Sequence, residues 1–413
     1  MNHFLYTNIF LHELDRVDQD VTHLKIISKL DKRLSNIVFI LKPGHIPNSV
    51  THLCFDNDFG QRLILEPGAI PTSVTHLAFL RNLCNPLEIG IIPESVTNLE
   101  FGEYFNQELL FGAIPKSVIH LTLTLNKSLN LGLVPPNVTS LKIIYDSDNP
   151  LDLQNIPTSI THLALFIYNS QIIGKIPSSV TFVRGVNRNI LKSIDSSVTH
   201  IVFLGDFNEP LNPGDIPESI THIEFGYEFN QKLKPGVIPK SVTHLKFGCQ
   251  FNQILEPGAI PNSVNKLNFG RSFRQKLEPG TIPNSVTHIE FGEFFNHKLL
   301  EPGDIPESVT YIKFGNWFNK PILPRVIPDS VVFIEFTNTF EYYDNPESFF
   351  DNIPETIFIK LSEYCKTYNI NKWTRYSSKY FDSSFYTSVF MSRVNSGILD
   401  NIPTELLFYL LEY

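Results

Sequence analysis

The sequence predicts a β-rich repeat solenoid: a right-handed coil with one short parallel β-strand per repeat of about 22 residues, ended by a partly helical C-terminal cap. Three observations carry this. A proline marker, most often Ile-Pro, returns mostly every 22 residues, without a slip from Pro217 to Pro283. A glycine stands three residues before nearly every marker, as Gly236 stands before Pro239. After each marker a short segment alternates between apolar and polar residues, as in Thr243-His244-Leu245-Lys246-Phe247.

Each part of the repeat has a physical reason. Pro235-Gly236 suits the middle of a type II turn, with proline presetting φ and glycine taking φ > 0. The Ile238-Pro239 step then holds the isoleucine extended. The alternation that follows has the period of a strand, with Leu245 and Phe247 on one side and His244 and Lys246 on the other. So short a strand needs the next repeat beside it, and parallel neighbours need the rest of the repeat as a return path. Such crossovers are right-handed in nearly all proteins.

Two inward columns are aromatic. One runs Phe203, Phe225, Phe247, Phe269, Phe291, Phe314 and Phe336; the other runs Phe207, Phe229, Phe251, Phe273, Phe295, Phe318 and Phe340. With rungs ~4.8 Å apart, rings in a column pack offset on one another. An asparagine follows the second ring, as Asn230 and Asn252 do, and its amide is expected to satisfy backbone groups of the return path and of the rungs above and below.

Counted by the strand segment, there are fifteen units from Val21 to Ile334. The expected organisation is an N-terminal cap over residues 1–17, the repeats over 18–341, and a tyrosine-rich C-terminal cap over 342–413. Residues 119–197 keep the frame but lose the vocabulary, and Gly185 falls where the first phenylalanine belongs.

Composition limits function. The net charge of −9 argues against nucleic acid or an anionic membrane as partner, and no apolar run approaches the ~20 residues of a membrane helix. Four cysteines without a Cys-x-x-Cys pair suit a reducing, cytoplasmic setting. Nucleophile-elbow, Walker, dinucleotide and zincin motifs are missing, so no catalytic residue, metal ligand or cofactor is expected and the chain is not expected to be an enzyme.

The unit IPKSVTHLKFGCQFNQILEPGA, residues 238–259, resembles the FNIP repeat of giant DNA viruses and amoebae. The resemblance spans about residues 18–341, roughly three quarters of the chain. FNIP repeats look like relatives of leucine-rich repeats, and Val242, Leu245, Phe247 and Asn252 stand near that pattern. The resemblance implies a non-enzymatic scaffold that holds another, unidentified protein, in the host cytoplasm if the chain is viral. Many FNIP proteins also carry an F-box. Residues 401–413 resemble the opening helix of one, which would make the chain a substrate-recognition subunit bound to a ubiquitin-ligase adaptor. Read from the residues alone, the same segment is an amphipathic capping helix with Asn401 as N-cap.

The candidate binding face is the outward side of the strands. Nine histidines share one column, among them His200, His222, His244 and His288. The next outward column varies and includes Glu224, Lys246, Glu290 and Lys313. A metal-binding reading of the histidine file is weaker, because ligands in a line do not converge on one point. Imidazolium rings ~5 Å apart in water repel by roughly 0.8 kcal/mol per pair. The file is therefore expected to titrate below the free-peptide value, with stability falling as pH drops through about 6.5.

Overall fold

The computed structural model describes residues 6–10, 14, 17–27, 38–56, 62–80, 87–105, 109–125, 131–145, 149–167, 171–295, 300–318, 320–337, 352–353 and 357–361. The chain forms two compact units, one of residues 1–209 and 214–227, the other of residues 210–213 and 228–413. The C-terminal helix expected at 401–413 and the ring of Phe340 lie outside the described residues.

In the first unit parallel strands follow one another in chain order from Tyr6–Phe10, through His23–Ile27 and His52–Asp56, to His200–Phe203 and His222–Glu224. In the second they run from His244–Lys246 through Lys266–Asn268, His288–Glu290 and Tyr311–Phe314 to Phe333–Phe336 and Phe358–Leu361. Register follows the repeat: Leu245 opposes Leu267, which opposes Ile289, then Ile312 and Ile334. Each unit is thus the expected parallel β-solenoid, one short strand per turn. Among the described residues the one α-helix is Arg188–Ser193.

The bend before each strand has the expected cause. Gly236 has φ 84°, and Val237 N–H donates to Lys234 O at 3.2 Å, closing the type II turn. Arg325 occupies the glycine position of its own repeat at φ 63°. A second turn follows the proline, where Val242 N–H donates to Pro239 O at 3.2 Å and the valine side chain is fully buried.

The core is two aromatic spines zipped together. In the second unit Phe247, Phe269, Phe291, Phe314 and Phe336 stack with centroids 5.2–5.9 Å apart. Phe229, Phe251, Phe273, Phe295 and Phe318 form the second column at 6.1–6.4 Å. Within a rung the two rings meet at 4.1–4.3 Å, as Phe247 meets Phe251. In the first unit Phe225 stacks on Phe203 at 5.1 Å. Asn230 Oδ1 accepts from Asn252 N–H at 2.9 Å and from Gln253 Nε2 at 3.0 Å, and Asn252 Oδ1 repeats this with Arg274 N–H and Gln275 Nε2. The asparagine therefore ties each return path to the next, with a glutamine as its second partner.

A glycine after the first phenylalanine lets rungs approach. A Cβ on Gly270 would overlap the carbonyl oxygen of Gly248 one rung before. The irregular stretch brings a correction. A bulge between Arg184 and Val186 carries Gly185 out of register, so the fully buried Val186 takes the phenylalanine position opposite Phe203. The return path there is the helix Arg188–Ser193, capped by Asn187, whose Oδ1 accepts from the N–H groups of Asn189 and Ile190 at 3.0 Å.

Candidate functional site: the histidine file and its neighbours

The outward face of each strand is built on a Thr-His pair. Both residues' N–H groups reach one carbonyl on the previous rung: Thr75 N at 2.9 Å and His76 N at 3.1 Å both donate to Thr51 O. The threonine hydroxyl then meets its own histidine. Oγ1 lies 2.7–2.9 Å from Nδ1 in the pairs at His23, His52, His76, His162, His200, His222, His244 and His288. The same hydroxyl lies 3.2 Å from the preceding carbonyl at Thr51 and 3.1 Å at Thr221. Where the column carries Asn98, Thr97 Oγ1 donates to Asn98 Oδ1 at 2.9 Å.

The rings stack along the file. Centroids are 4.1 Å apart for His23 and His52, 4.0 Å for His52 and His76, and 3.8 Å for His200 and His222. Aromatic residues continue the file elsewhere: His288, Tyr311 and Phe333 follow one another at 5.6 and 5.7 Å. The file is less open than alternation implies. His52, His76, His200, His222, His244 and His288 are half-buried, and His23 is buried.

That burial changes the expected cause of the titration. Burial first, and His76 and His23 second, hold His52 below the ordinary histidine value. Burial and then His120 and His23 lower His76, and burial and then His162 lower His200. Desolvation outweighs the ring-to-ring repulsion read from the sequence. On the adjoining column, burial pushes the Cys54 thiol up to about 11, which leaves it unreactive.

The variable column is a mixed polar strip. In the first unit Glu224 is half-buried and sits opposite Val202. In the second, Lys246, Asn268, Glu290, Lys313 and Glu335 occupy successive rungs. Lys246 is exposed; Glu290 accepts from Asn268 Nδ2 at 2.7 Å. Lys313 reaches Glu335 at 3.7 Å, a long contact between two half-buried side chains worth on the order of 1 kcal/mol. Of the face residues expected from sequence, His200, His222 and Glu224 share one unit's sheet, and His244, Lys246, His288, Glu290 and Lys313 share the other's. Among the described residues no three His, Cys, Asp or Glu side chains are placed to hold a metal ion. No helix among them is long and apolar enough to cross a membrane.

Sequence reasoning missed two working side chains. The threonine of Thr-His was assigned no role, although the dipeptide recurs as faithfully as the phenylalanines. The serine before the valine also acts between rungs: Ser49, Ser73, Ser95 and Ser117 donate from Oγ to the previous rung's valine carbonyl at 2.7 Å.

The FNIP Repeat profile matches residues 40–81, 85–125, 207–250, 251–294 and 295–339, together more than half of the chain. The chain belongs to the FNIP repeat family. The profile passes over residues 126–206, where the FNIP vocabulary fades and the bulge and helix lie. Among solved structures this FNIP chain is similar to CroV588, described as a novel circular leucine-rich-repeat protein, with 29% identity and a TM-score of 0.55. That alignment covers 83% of this chain and 50% of CroV588, so the chain spans about half the length of that relative. The pneumococcal vaccine antigen PcpA aligns over 90% of this chain and 80% of its own at 12% identity, with a TM-score of 0.17, too low to inform the fold. No curated protein matches the chain.

Proposed function

We propose that this FNIP-repeat chain is a non-enzymatic protein-interaction scaffold whose outward sheet face holds the partner. One observation carries the reading. The inward positions repeat from rung to rung, as Leu245, Leu267 and Ile289 do, while the outward strip changes through Lys246, Asn268 and Glu290 on the same backbone. A fixed frame with changeable side chains in register is the arrangement other repeat proteins use for recognition. Along the histidine file each ring of a Thr-His pair is hydrogen-bonded to its own threonine, as His52 is to Thr51, which leaves the neighbouring outward column to vary.

The test is quantitative affinity purification from the native cell, comparing the unaltered chain with a variant reversed on the face (Lys246→Glu, Glu290→Lys, Lys313→Glu). The proposal expects the associated protein to be lost from the face variant and kept by a chain reversed on the outer turns (Glu256→Lys, Glu278→Lys). Retention by the face variant with loss from the turn variant would move the binding surface off the sheet.

A further inference from the structure

Three histidines on consecutive rungs stack in one run: His23 on His52 at 4.1 Å and His52 on His76 at 4.0 Å, each pair tilted by 13°. Neutral imidazoles at this separation attract by stacking, whereas two neighbouring imidazolium ions repel. Within this stack His52 alone has a histidine on both sides, because the file continues beyond His76 with Asn98. His52 and His76 each also share a hydroxyl with the rung before. Thr51 Oγ1 lies 2.9 Å from His52 Nδ1 and 3.2 Å from Thr22 O; Thr75 Oγ1 lies 2.9 Å from His76 Nδ1 and 3.3 Å from Thr51 O. A hydroxyl has one proton and serves one acceptor at a time. When the ring is neutral with its own proton on Nε2, Nδ1 takes the hydroxyl proton. When the ring is charged, Nδ1 itself becomes a donor to Oγ1, and the hydroxyl proton is free to turn to the carbonyl.

We propose that the stack His23–His52–His76 is a proton-operated switch in which charge on the outer rings opposes charge on the middle one. Each proton taken up at His52 or His76 swings a threonine hydroxyl from its own ring onto the carbonyl of the preceding rung. The face thereby acquires separated positive charges together with an added hydrogen bond between rungs. The surrounding charges leave this sequence of events intact. Lys25 and Asp56 close on each other at 2.7 Å, the Cys54 thiol stays neutral, and Glu100 and His120 lie on the following strands. On the other side the strand Tyr6–Phe10 sets Tyr6 opposite His23. The switch needs no partner and stands apart from the scaffold reading.

The experiment follows each histidine Cε1–H by NMR during a pH titration of the full chain and of the double variant His23→Asn/His76→Asn. Asparagine already fills this column at Asn98, so the substitution is one the repeat accommodates. The proposal expects the protonation midpoint of His52 to be set in part by its two neighbouring rings. In the double variant its midpoint rises, by up to about one pH unit. A His52 midpoint that does not move in the double variant would overturn it and leave burial as the whole cause.

Discussion

Truncating Phe251 to alanine removes the ring at the centre of both spines of the second unit. The side chain is fully buried, 4.1 Å from Phe247 within its rung and 6.2 and 6.1 Å from Phe229 and Phe273 on the rungs either side. A phenylalanine buries roughly 150–250 Å², which at ~25 cal/mol per Å² is about 4–6 kcal/mol as an upper bound. Measured losses for such truncations are about 3–5 kcal/mol, and we expect about 4. In an array whose rungs contact only their neighbours, the damage concentrates on adjacent rungs. Urea unfolding followed by circular dichroism, with hydrogen exchange resolved by rung, measures both size and place. Phe111→Ala is the control, because that ring is 80% exposed, and it is expected to change stability by less than about 0.5 kcal/mol. Equal losses from the two variants, or a Phe251→Ala loss below about 1 kcal/mol, would refute the stacked core.

Further expectations follow from single residues. Arg325 holds φ 63° where other repeats have glycine, so Arg325→Gly is expected to stabilise by about 1 kcal/mol, read as a higher urea midpoint. Gly270→Ala would drive a methyl into Gly248 O and is expected to destabilise by several kcal/mol, roughly the cost of overpacking or more, whereas Gly205→Ala meets nothing within 4 Å; near-equal melting temperatures would contradict the close approach of rungs. Asp304 is buried with Oδ1 unpartnered, and burial raises its carboxyl above the usual range. The folded chain therefore binds this proton more readily than the unfolded chain, and the penalty is greatest above the raised value and fades toward about pH 4. Asp304→Ala, the residue at Ala259, should then stabilise by about 1–3 kcal/mol at pH 7 and by less in acid. For His52, His76 and His200 the sign is opposite: their lowered values mean the unfolded chain takes protons first. Their share of stability is intact above about 6.5 and is lost as pH falls below it, so the melting temperature of Asp304→Ala is expected to drop between pH 7.5 and 5.5.

The rungs were legible because their columns carry residues with few alternatives. Pro235-Gly236 admits one turn, and Phe247 with Phe251 admits one burial pattern at a 22-residue spacing. Gly185 was misplaced because alignment by spacing assumes one backbone position per residue, and the bulge at Arg184–Val186 breaks that count. Thr51 was overlooked because a hydroxyl between two acceptors leaves no trace in hydrophobic patterning. Gly270 reads as a plain turn residue until the carbonyl of Gly248 is seen against it. On the face, the nine-histidine file was legible as a column, but strand spacing alone does not set the ring separations of 3.8–4.1 Å, nor show that His52, His76 and His200 are half-buried while His120 and His162 are exposed. The partner is illegible for a physical reason: Lys246, Asn268, Glu290 and Lys313 lie on the outward side of the strands, where the fold constrains them far less than the inward Leu245, Leu267 and Ile289.

Disulfide trapping in a chain freed of its native cysteines tests the register of neighbouring rungs most directly. Asn268 and Glu290 are register partners on adjacent strands, and Lys313 lies one strand further. Adjacent parallel strands sit ~4.8 Å apart, within the span of a disulfide, and alternate strands at about twice that do not. Asn268→Cys with Glu290→Cys is expected to oxidise readily, and Asn268→Cys with Lys313→Cys to stay reduced. Equal oxidation of the two pairs, or none in either, would contradict the winding on which the rest depends.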